Sequence, residues 1–201
     1  MDQNAVLLST AYLPNLAYLS KVLEADRIVV ERCENFVKQT YRNRSEILSS
    51  NGKLSLSIPL IKQADKELIS DKRISYAENW QQQHWRSITS AYKNSPYFEY
   101  FEDAFKPFYE NQFEFLFDYN LQLLQTVLKI LRVKKEISFT SVYENQTHIR
   151  DYRRLSDKHI ADIGTSQYYQ VFSDRLGFIA NLSCLDILFN EGLQTLELLK
   201  Q

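Results

Sequence analysis

The sequence predicts an α/β fold: an N-terminal βαβ unit in a mixed, mainly parallel sheet, followed by a helical middle segment and a C-terminal helix. Two short apolar runs that flank a helix-like pattern predict the βαβ unit. Between residues 80 and 132, apolar side chains recur at intervals of three and four, which predicts helices. With 201 residues, 44% of them hydrophobic and 24% charged, the chain suits a single domain over residues 1–201.

The βαβ unit occupies the first 30 residues. The apolar run at residues 5–8 is typical of a buried strand, and residues 28–30 predict the next one. Pro14 stands where a helix can begin. The apolar face of that helix is formed by three leucines, Leu16, Leu19 and Leu23. Because a crossover helix joins parallel strands, we expect the two strands to run parallel.

The middle of the chain combines one strand with three helices. Residues 33–52 are polar and mixed, and predict only a turn at their end, whereas residues 54–58 alternate as a half-exposed strand does. Asn79 is the predicted N-cap of a helix from Trp80 to about Lys93. The second helix begins near Pro96 and is kinked or ended by Pro107, and the third runs to about Arg132. Four phenylalanines share one side of the second helix and are expected in the core: Phe98, Phe101, Phe105 and Phe108.

The C-terminal part has weaker patterns. Residues 137–143 predict a strand, and residues 144–162 have too little periodicity to predict an element. Residues 168–172 are compatible with another strand. Residues 182–189 predict a closing helix, which Gly192 can end.

Charge and hydropathy exclude several classes of partner. A net charge of −1 argues against nucleic acid, whose recognition needs a clear positive excess. The first residues lack the basic region of a signal peptide, so a cytoplasmic protein is expected. No apolar run approaches the roughly 20 residues that cross a bilayer, so membrane insertion is not expected.

Common cofactor and metal motifs are also missing. The four glycines are isolated, so neither a Walker loop nor a dinucleotide-binding glycine pattern exists. Cys33 and Cys184 lie far apart in sequence, and the histidines have no partner at metal-ligand spacing. We therefore predict no cofactor and no metal site.

Several motifs carry a resemblance to a known family. The N-terminal ones are residues 12–18 (Tyr-Leu-Pro-Asn-Leu-Ala-Tyr), Lys21, Ala25-Asp26 and Asn43-Arg44. The later ones are Asn79-Trp80, His84-Trp85, Tyr92 and residues 182–192. On these motifs the chain is identified as a member of the WbqC-like family over nearly its whole length. Ser9-Thr10 stand where the family often has Gln-Pro, and a longer insert is missing, so the chain resembles a compact branch.

The resemblance implies a place in bacterial surface polysaccharide clusters, including O-antigen, and a suggested transfer of glycine to a sugar. Within the first motif, Tyr12 and Asn15 stand beside a helix N-terminus and near the end of a strand, where α/β sheets bind ligands. An anion could dock there, with Lys21 nearby in the motif. Equally, Tyr12 could pack beneath the helix while Pro14 merely starts it.

Arg42 and Arg44 are candidate ligands for phosphate or carboxylate, because a guanidinium binds both through paired hydrogen bonds. Asn43 and Arg44 match the family motif, which ranks Arg44 first among the binding candidates. Glu31 and Glu34 lie close in sequence, so arginines that simply face water are the alternative.

His84 is the candidate general acid–base, since imidazole titrates near neutral pH and Trp80 precedes it by one helical turn. A histidine hydrogen-bonded at the edge of the core is the commoner alternative. Glu191 could act as a second base while Asn190 orients the substrate. The preferred interpretation makes Asn190, Glu191 and Gly192 a helix end.

Three functions follow. The first is a transferase that moves an aminoacyl or similar group onto an anionic sugar nucleotide, which requires one pocket uniting Tyr12, Asn15, Arg44 and His84. The second is a non-catalytic binding or assembly protein of the same pathway, which explains the missing catalytic motifs and needs an exposed apolar patch. The third is a nucleotidyl transferase-like enzyme, although its histidine-rich phosphate motif is absent after the first strand. A homo-oligomer is compatible with each.

Overall fold

A computed structural model describes residues 4–62, 66–157 and 166–199. The strands are β1 (Ala5–Ser9), β2 (Arg27–Glu31), β3 (Arg44–Ser49), β4 (Gly52–Ser57), β5 (Glu136–Phe139) and β6 (Arg150–Asp151). The helices are α1 (Leu16–Glu24), α2 (Trp80–Tyr92), α3 (Phe98–Phe105), α4 (Pro107–Glu110), α5 (Leu116–Ile130), α6 (Ser173–Leu176), α7 (Cys184–Glu191) and α8 (Thr195–Leu198). Short 3₁₀ turns cover Ile69–Asp71, Arg153–Ser156 and Gly192–Gln194.

The main sheet is parallel and has the strand order β5-β2-β1-β6. Val6 lies opposite Ile28 and Leu8 opposite Val30, and all four side chains are buried in one core. Helix α1 connects β1 to β2 and adds Leu16, Leu19 and Val22 to the same core. The predicted βαβ unit with parallel strands is therefore confirmed, as is the α/β class.

A separate antiparallel pair is formed by β3 and β4. The sequence did not predict β3, because its polar and charged residues hide the alternation that buries Ser45 and Ile47. Helix α2 packs beside this pair, and the Tyr92 hydroxyl accepts a hydrogen bond from the backbone N–H of Leu48 at 3.2 Å. The helix begins at Trp80 as predicted, but the Asn79 side chain bonds Gln82 instead of capping the backbone.

Aromatic side chains join the middle helices to α7. The ring of Phe189 lies 5.4 Å from that of Tyr92, 5.1 Å from that of Phe98 and 5.8 Å from that of Phe105. Phe98, Phe105 and Phe108 are buried, and Phe101 packs against the same core. The predicted core role of the phenylalanines is confirmed, and it explains why every residue of α7 except Glu191 is buried.

One prediction for the C-terminal part needs correction, and one region without a prediction contains a strand. Residues 168–172 do not form a strand: Gln170 uses its side chain to bond both the N–H and the carbonyl of Ile179, which replaces strand pairing. The weakly patterned region contains β6, which is only two residues long and cannot show a period. Residues 158–162 of that region lie outside the described residues. Among the helices that are described, none is both long and apolar enough to cross a membrane.

Gly192 ends α7 as predicted, with φ at 57° and its N–H bonded to the Leu188 carbonyl. A Cβ added there would lie 2.8 Å from two ring carbons of Tyr97. We expect Gly192→Ala to lower the free energy of unfolding by about 2 kcal/mol, through backbone strain and the clash together. Urea denaturation measures the loss.

Gly177→Ala is the matched control, because Gly177 also has a positive φ, at 70°, but its added Cβ would meet nothing within 4 Å. Its loss should be only about 1 kcal/mol, from strain alone. Equal losses in both variants would show that the Tyr97 ring moves aside freely.

Candidate functional site

A large hollow on the described surface lies where the parallel strands β1, β2 and β6 end, and we call it the strand-end hollow. Its volume is about 840 Å³. Its lining residues follow β2 or surround β6: Glu34, residues 37–40, Arg42, Tyr143, Asn145, Asp151, Arg153, Arg154 and Asp157. The hollow is polar and carries charges of both signs.

The order of the strands explains this position. From β1 the chain adds β2 and then β5 on one side, and it later returns to place β6 on the other side of β1. The chain thus adds strands on both sides of β1, and the strand order reverses between β1 and β6. Open parallel sheets bind their ligands in the crevice at such a switch point.

Arg42 forms one half of the floor of this hollow. Its Nε and Nη2 donate to the two carboxylate oxygens of Glu34 at 2.8 and 2.9 Å. Nη2 also donates to Ser9 Oγ at 2.9 Å, and Nη1 to Asp157 at 3.0 Å. Only 3% of Arg42 and 7% of Glu34 are exposed. Burial tends to lower the pKa of Arg42, but the two carboxylates raise it above its usual value.

Arg153 forms the other half. Its Nε and Nη2 bond Asp151, the latter at 2.6 Å, and its Nη1 donates to the fully buried Glu31 at 3.1 Å. The ring of Tyr143 lies 4.7 Å from its guanidinium carbon. Although burial acts to raise the pKa of Asp151, the hydrogen bonds from Arg153 lower it below its usual value. Glu31 is the last residue of β2 and Asp151 is the last residue of β6. By bonding both carboxylates, Arg153 connects these two strands across the carboxyl edge of the sheet.

The rim differs from the floor in its charge balance. Lys38 and Arg154 are exposed, and neither forms an ion pair with a described residue, although the charge of Arg154 contributes to the lowered pKa of Asp151. Both guanidiniums of the floor are already paired, so among the described lining residues Lys38 and Arg154 are better placed to bind an anion. Asp157, with 42% of its side chain exposed, supplies a carboxylate beside them.

A smaller hollow of about 320 Å³, which we call the hairpin hollow, lies at the start of β3. Its lining residues are Phe36, Lys38, Gln39, Asn43, Arg44, Leu60, Lys62, Glu67 and Lys72. Arg44 is half-buried here, and Asn43 donates from Nδ2 to the Ile58 carbonyl at 2.9 Å. The predicted binding residues Arg42 and Arg44 therefore belong to two neighbouring hollows.

Tyr12, His84 and Trp80 meet in the interior. The Tyr12 hydroxyl lies 3.0 Å from His84 Nδ1 and 3.0 Å from the Tyr109 hydroxyl. The Trp80 and His84 rings are 5.1 Å apart, edge to face. Tyr12 is fully buried and His84 is 7% exposed. Burial lowers the pKa of His84 to about 4, against a smaller opposing effect of the Ser57 backbone, so its imidazole is neutral at pH 7.

The single pocket expected from the sequence does not form. Tyr12 and His84 contact each other beneath the surface, whereas Arg44 lies in the hairpin hollow. Asn15 caps α1 by accepting from the Tyr18 N–H at 2.9 Å. Lys21 pairs with Glu24 at 2.8 Å on the outer face of the same helix. The Tyr12 ring packs in the core. This packing buries the first motif, residues 12–18, and explains why it does not line a pocket.

Asn190 and Glu191 lie at the far end of α7. Asn190 donates from Nδ2 to the Asp186 carbonyl at 2.7 Å, and Glu191 accepts from the Tyr169 N–H at 2.9 Å. The chain does return to the first helix, since Cys184 N–H donates to the Pro14 carbonyl at 2.7 Å. That contact lies at the start of α7, so the helix length separates Asn190 and Glu191 from it. Both hydrogen bonds are consistent with the helix-end role of Asn190 and Glu191. The catalytic roles of Glu191 and His84 stay predictions.

Sequence reasoning missed the Asp151, Arg153 and Asp157 side of the strand-end hollow. Their signal was a dense run of charges at residues 150–154 without periodicity. Within the described part of the chain, no group of three or more His, Cys, Asp or Glu side chains is placed to hold a metal ion.

Comparison with known proteins gives one family and one curated relative. The chain is 22% identical to a protein from Mycobacterium tuberculosis (strain ATCC 25618 / H37Rv), "Uncharacterized protein Rv1507c", over 98% of each chain. No solved structure matches the present chain. The sequence pattern of the WbqC-like protein family matches residues 10–170, which include α1 and the lining residues of both hollows. The chain therefore belongs to the WbqC-like protein family.

Proposed function

We propose that this protein is a group transferase of bacterial surface polysaccharide biosynthesis, and that it binds an anionic small molecule such as a sugar nucleotide in the strand-end hollow. The observation that carries the proposal is the position of that hollow at the switch point between β1 and β6. The pathway in this proposal comes from the resemblance to the WbqC-like family, which is associated with O-antigen clusters.

The size and charges of the hollow support a ligand of this class. Its volume of about 840 Å³ falls within the range of roughly 300–1,000 Å³ that small-molecule sites span. Lys38 and Arg154 offer cationic groups for a phosphate or carboxylate, while Asp157 and Asp151 can bind an amino or hydroxyl group. A substrate with an acidic and a hydrogen-bond-donating part matches both sets.

The buried arginines act as positioning residues in this proposal. Arg42 holds Asp157 and Glu34, and Arg153 holds Asp151 and Glu31, so the carboxylates keep fixed directions. Asp157 and Asp151 are the partly exposed carboxylates of the set. Asp157 is the candidate base that accepts a proton from the attacking amine or hydroxyl, because it accepts one bond from Arg42 whereas Arg153 bonds both oxygens of Asp151. His84 lies in the core and supports Tyr12 beneath the first motif.

Thermal unfolding in the presence of nucleotides, sugar nucleotides and activated amino acids tests the site. A ligand at 100 times its Kd stabilises the folded state by about 2.7 kcal/mol, so a true ligand raises the melting temperature. Arg154→Gln should reduce this shift, and Asp157→Asn should abolish turnover while leaving most of the shift. Arg86→Gln, at an exposed arginine on α2, is the control and should behave as wild type.

An equal ligand shift in wild type and Arg154→Gln would place the ligand elsewhere. Full turnover by Asp157→Asn would remove that carboxylate from the chemistry. The absence of any shift or turnover would favour the alternative, a non-catalytic binding or assembly protein. Exposed Val142 and Tyr143 near the hollow support that alternative, because they offer an apolar contact surface.

A further inference from the structure

The hairpin hollow contains an unusual excess of positive charge. Lys38, Arg44 and Lys62 line it, and none of the described residues forms an ion pair or hydrogen bond with their side chains. Lys72 differs, since its Nζ bonds the Glu67 carboxylate and the Ile61 carbonyl. Three cations without a counter-charge around one concave space favour an anion as occupant.

Two residues that line this hollow, Asn43 and Arg44, carry unpartnered polar atoms. Arg44 Nε and Asn43 Oδ1 are both buried, and neither has a hydrogen-bond partner in the described structure. Buried donors and acceptors are normally satisfied, so an unpaired one calls for an outside partner. A small movement of these side chains toward the hollow would let Arg44 Nε donate to a phosphate oxygen and Asn43 Oδ1 accept from a sugar hydroxyl.

The two hollows adjoin. Lys38 and Gln39 line both, so the turn that they form is the shared wall. Gln39 adopts a positive φ of 61°, which places the turn in a left-handed conformation between the two spaces. A ligand that crosses this turn could place charged groups in one hollow and its transferred or accepting part in the other.

We propose that the hairpin hollow is the diphosphate subsite of the substrate, with Arg44 and Lys62 binding the phosphoryl oxygens and Lys38 reaching them from the shared wall. The proposal rests on the function proposed above and narrows the substrate class to nucleoside diphosphate sugars. The sugar then lies in the strand-end hollow beside Asp157. The planar fork of Arg44 is suited to paired bonds with phosphate oxygens.

Isothermal titration calorimetry with inorganic pyrophosphate, uridine diphosphate and a uridine diphosphate hexose tests the subsite. Arg44→Gln should weaken binding of all three by about tenfold or more, as the loss of a charge-assisted hydrogen bond predicts. Lys62→Gln, at an exposed position, should weaken them similarly without affecting folding. Lys53→Gln, an exposed lysine of β4 that lines neither hollow, should bind as wild type does.

The outcomes separate the two proposals. If a sugar nucleotide binds and only Arg154→Gln weakens it, the diphosphate subsite is rejected and the proposed function stands. If pyrophosphate binding depends on Arg44 and Lys62 but no sugar nucleotide binds or reacts, the anion subsite stands and the proposed substrate is wrong. Unchanged pyrophosphate binding in both variants overturns the subsite, and no binding of any probe to wild type overturns both.

Discussion

Arg42→Ala should lower the free energy of unfolding by about 3–5 kcal/mol, the range for breaking a buried ion pair by removing one partner. The substitution would leave the Glu34 carboxylate buried without its counter-charge, and would remove the bonds to Ser9 and Asp157. These contacts connect the ends of β1 and β2 with the segment after β6. Urea denaturation followed by circular dichroism measures the loss.

Two further variants decide whether the buried charge is the cause. Arg42→Ala combined with Glu34→Gln should recover part of the stability, because the remaining partner is then neutral. Arg73→Ala breaks the exposed ion pair with Glu114, whose N–O distance is also 3.0 Å, and should cost less than about 1 kcal/mol. Similar losses for Arg42→Ala and Arg73→Ala would contradict the prediction.

Two buried titrating groups should give opposite pH dependences within the same range. Burial raises the pKa of Asp186 to about 6, although hydrogen bonds from Tyr168, Gln170 and Tyr92 oppose the shift. Its contribution to stability is complete below its unfolded pKa and is lost as the pH rises through 6. Burial lowers the pKa of His84 to about 4, so its contribution is complete above the unfolded pKa and is lost as the pH falls through 4.

Each shift corresponds to about 3 kcal/mol, so the two effects nearly cancel in the wild type between pH 4 and 6.5. We expect Asp186→Asn to lose stability relative to wild type as the pH falls across this range. His84→Gln should gain stability relative to wild type over the same range. Urea denaturation at several pH values measures both differences in the free energy of unfolding. Comparison with wild type cancels the pH dependence that the exposed carboxylates give to both proteins.

A difference between Asp186→Asn and wild type that stays constant from pH 4 to 6.5 would show that Asp186 titrates in its ordinary range. The same result for His84→Gln would show that water reaches the imidazole. That second outcome would also restore His84 as a candidate acid–base group, since an accessible histidine titrates near neutral pH.

The sequence predicted the elements whose side chains follow a period. The βαβ unit and helices α2, α3, α5 and α7 were found because apolar positions alternate or recur over many residues. Strand β6 has two residues and β3 mixes charge with burial, so neither shows a readable pattern. Residues 168–172 have a strand-like composition, but Gln170 satisfies the backbone that a neighbouring strand would otherwise pair.

The sequence indicated only the part of the candidate site whose residues lie close together in the chain. Arg42 and Glu34 are eight residues apart, and their proximity in sequence was noticed, but the alternative to ligand binding was an arginine that faces water. Arg153 and Glu31 are 122 residues apart and meet only because β6 returns beside β1. Tyr12 and His84 were both singled out, but their burial depends on packing of Trp80, Tyr109 and Tyr119 that no local pattern reveals.

The packing of helix α7 limits where the chain can be truncated. The family pattern stops at residue 170, yet α7 begins beyond it and places Phe189 among the rings of three other residues. A fragment ending at residue 170, the limit of the family match, would expose those rings to water and leave a gap the size of a whole helix. The segment outside the pattern is therefore as necessary for cooperative folding as the segment inside it.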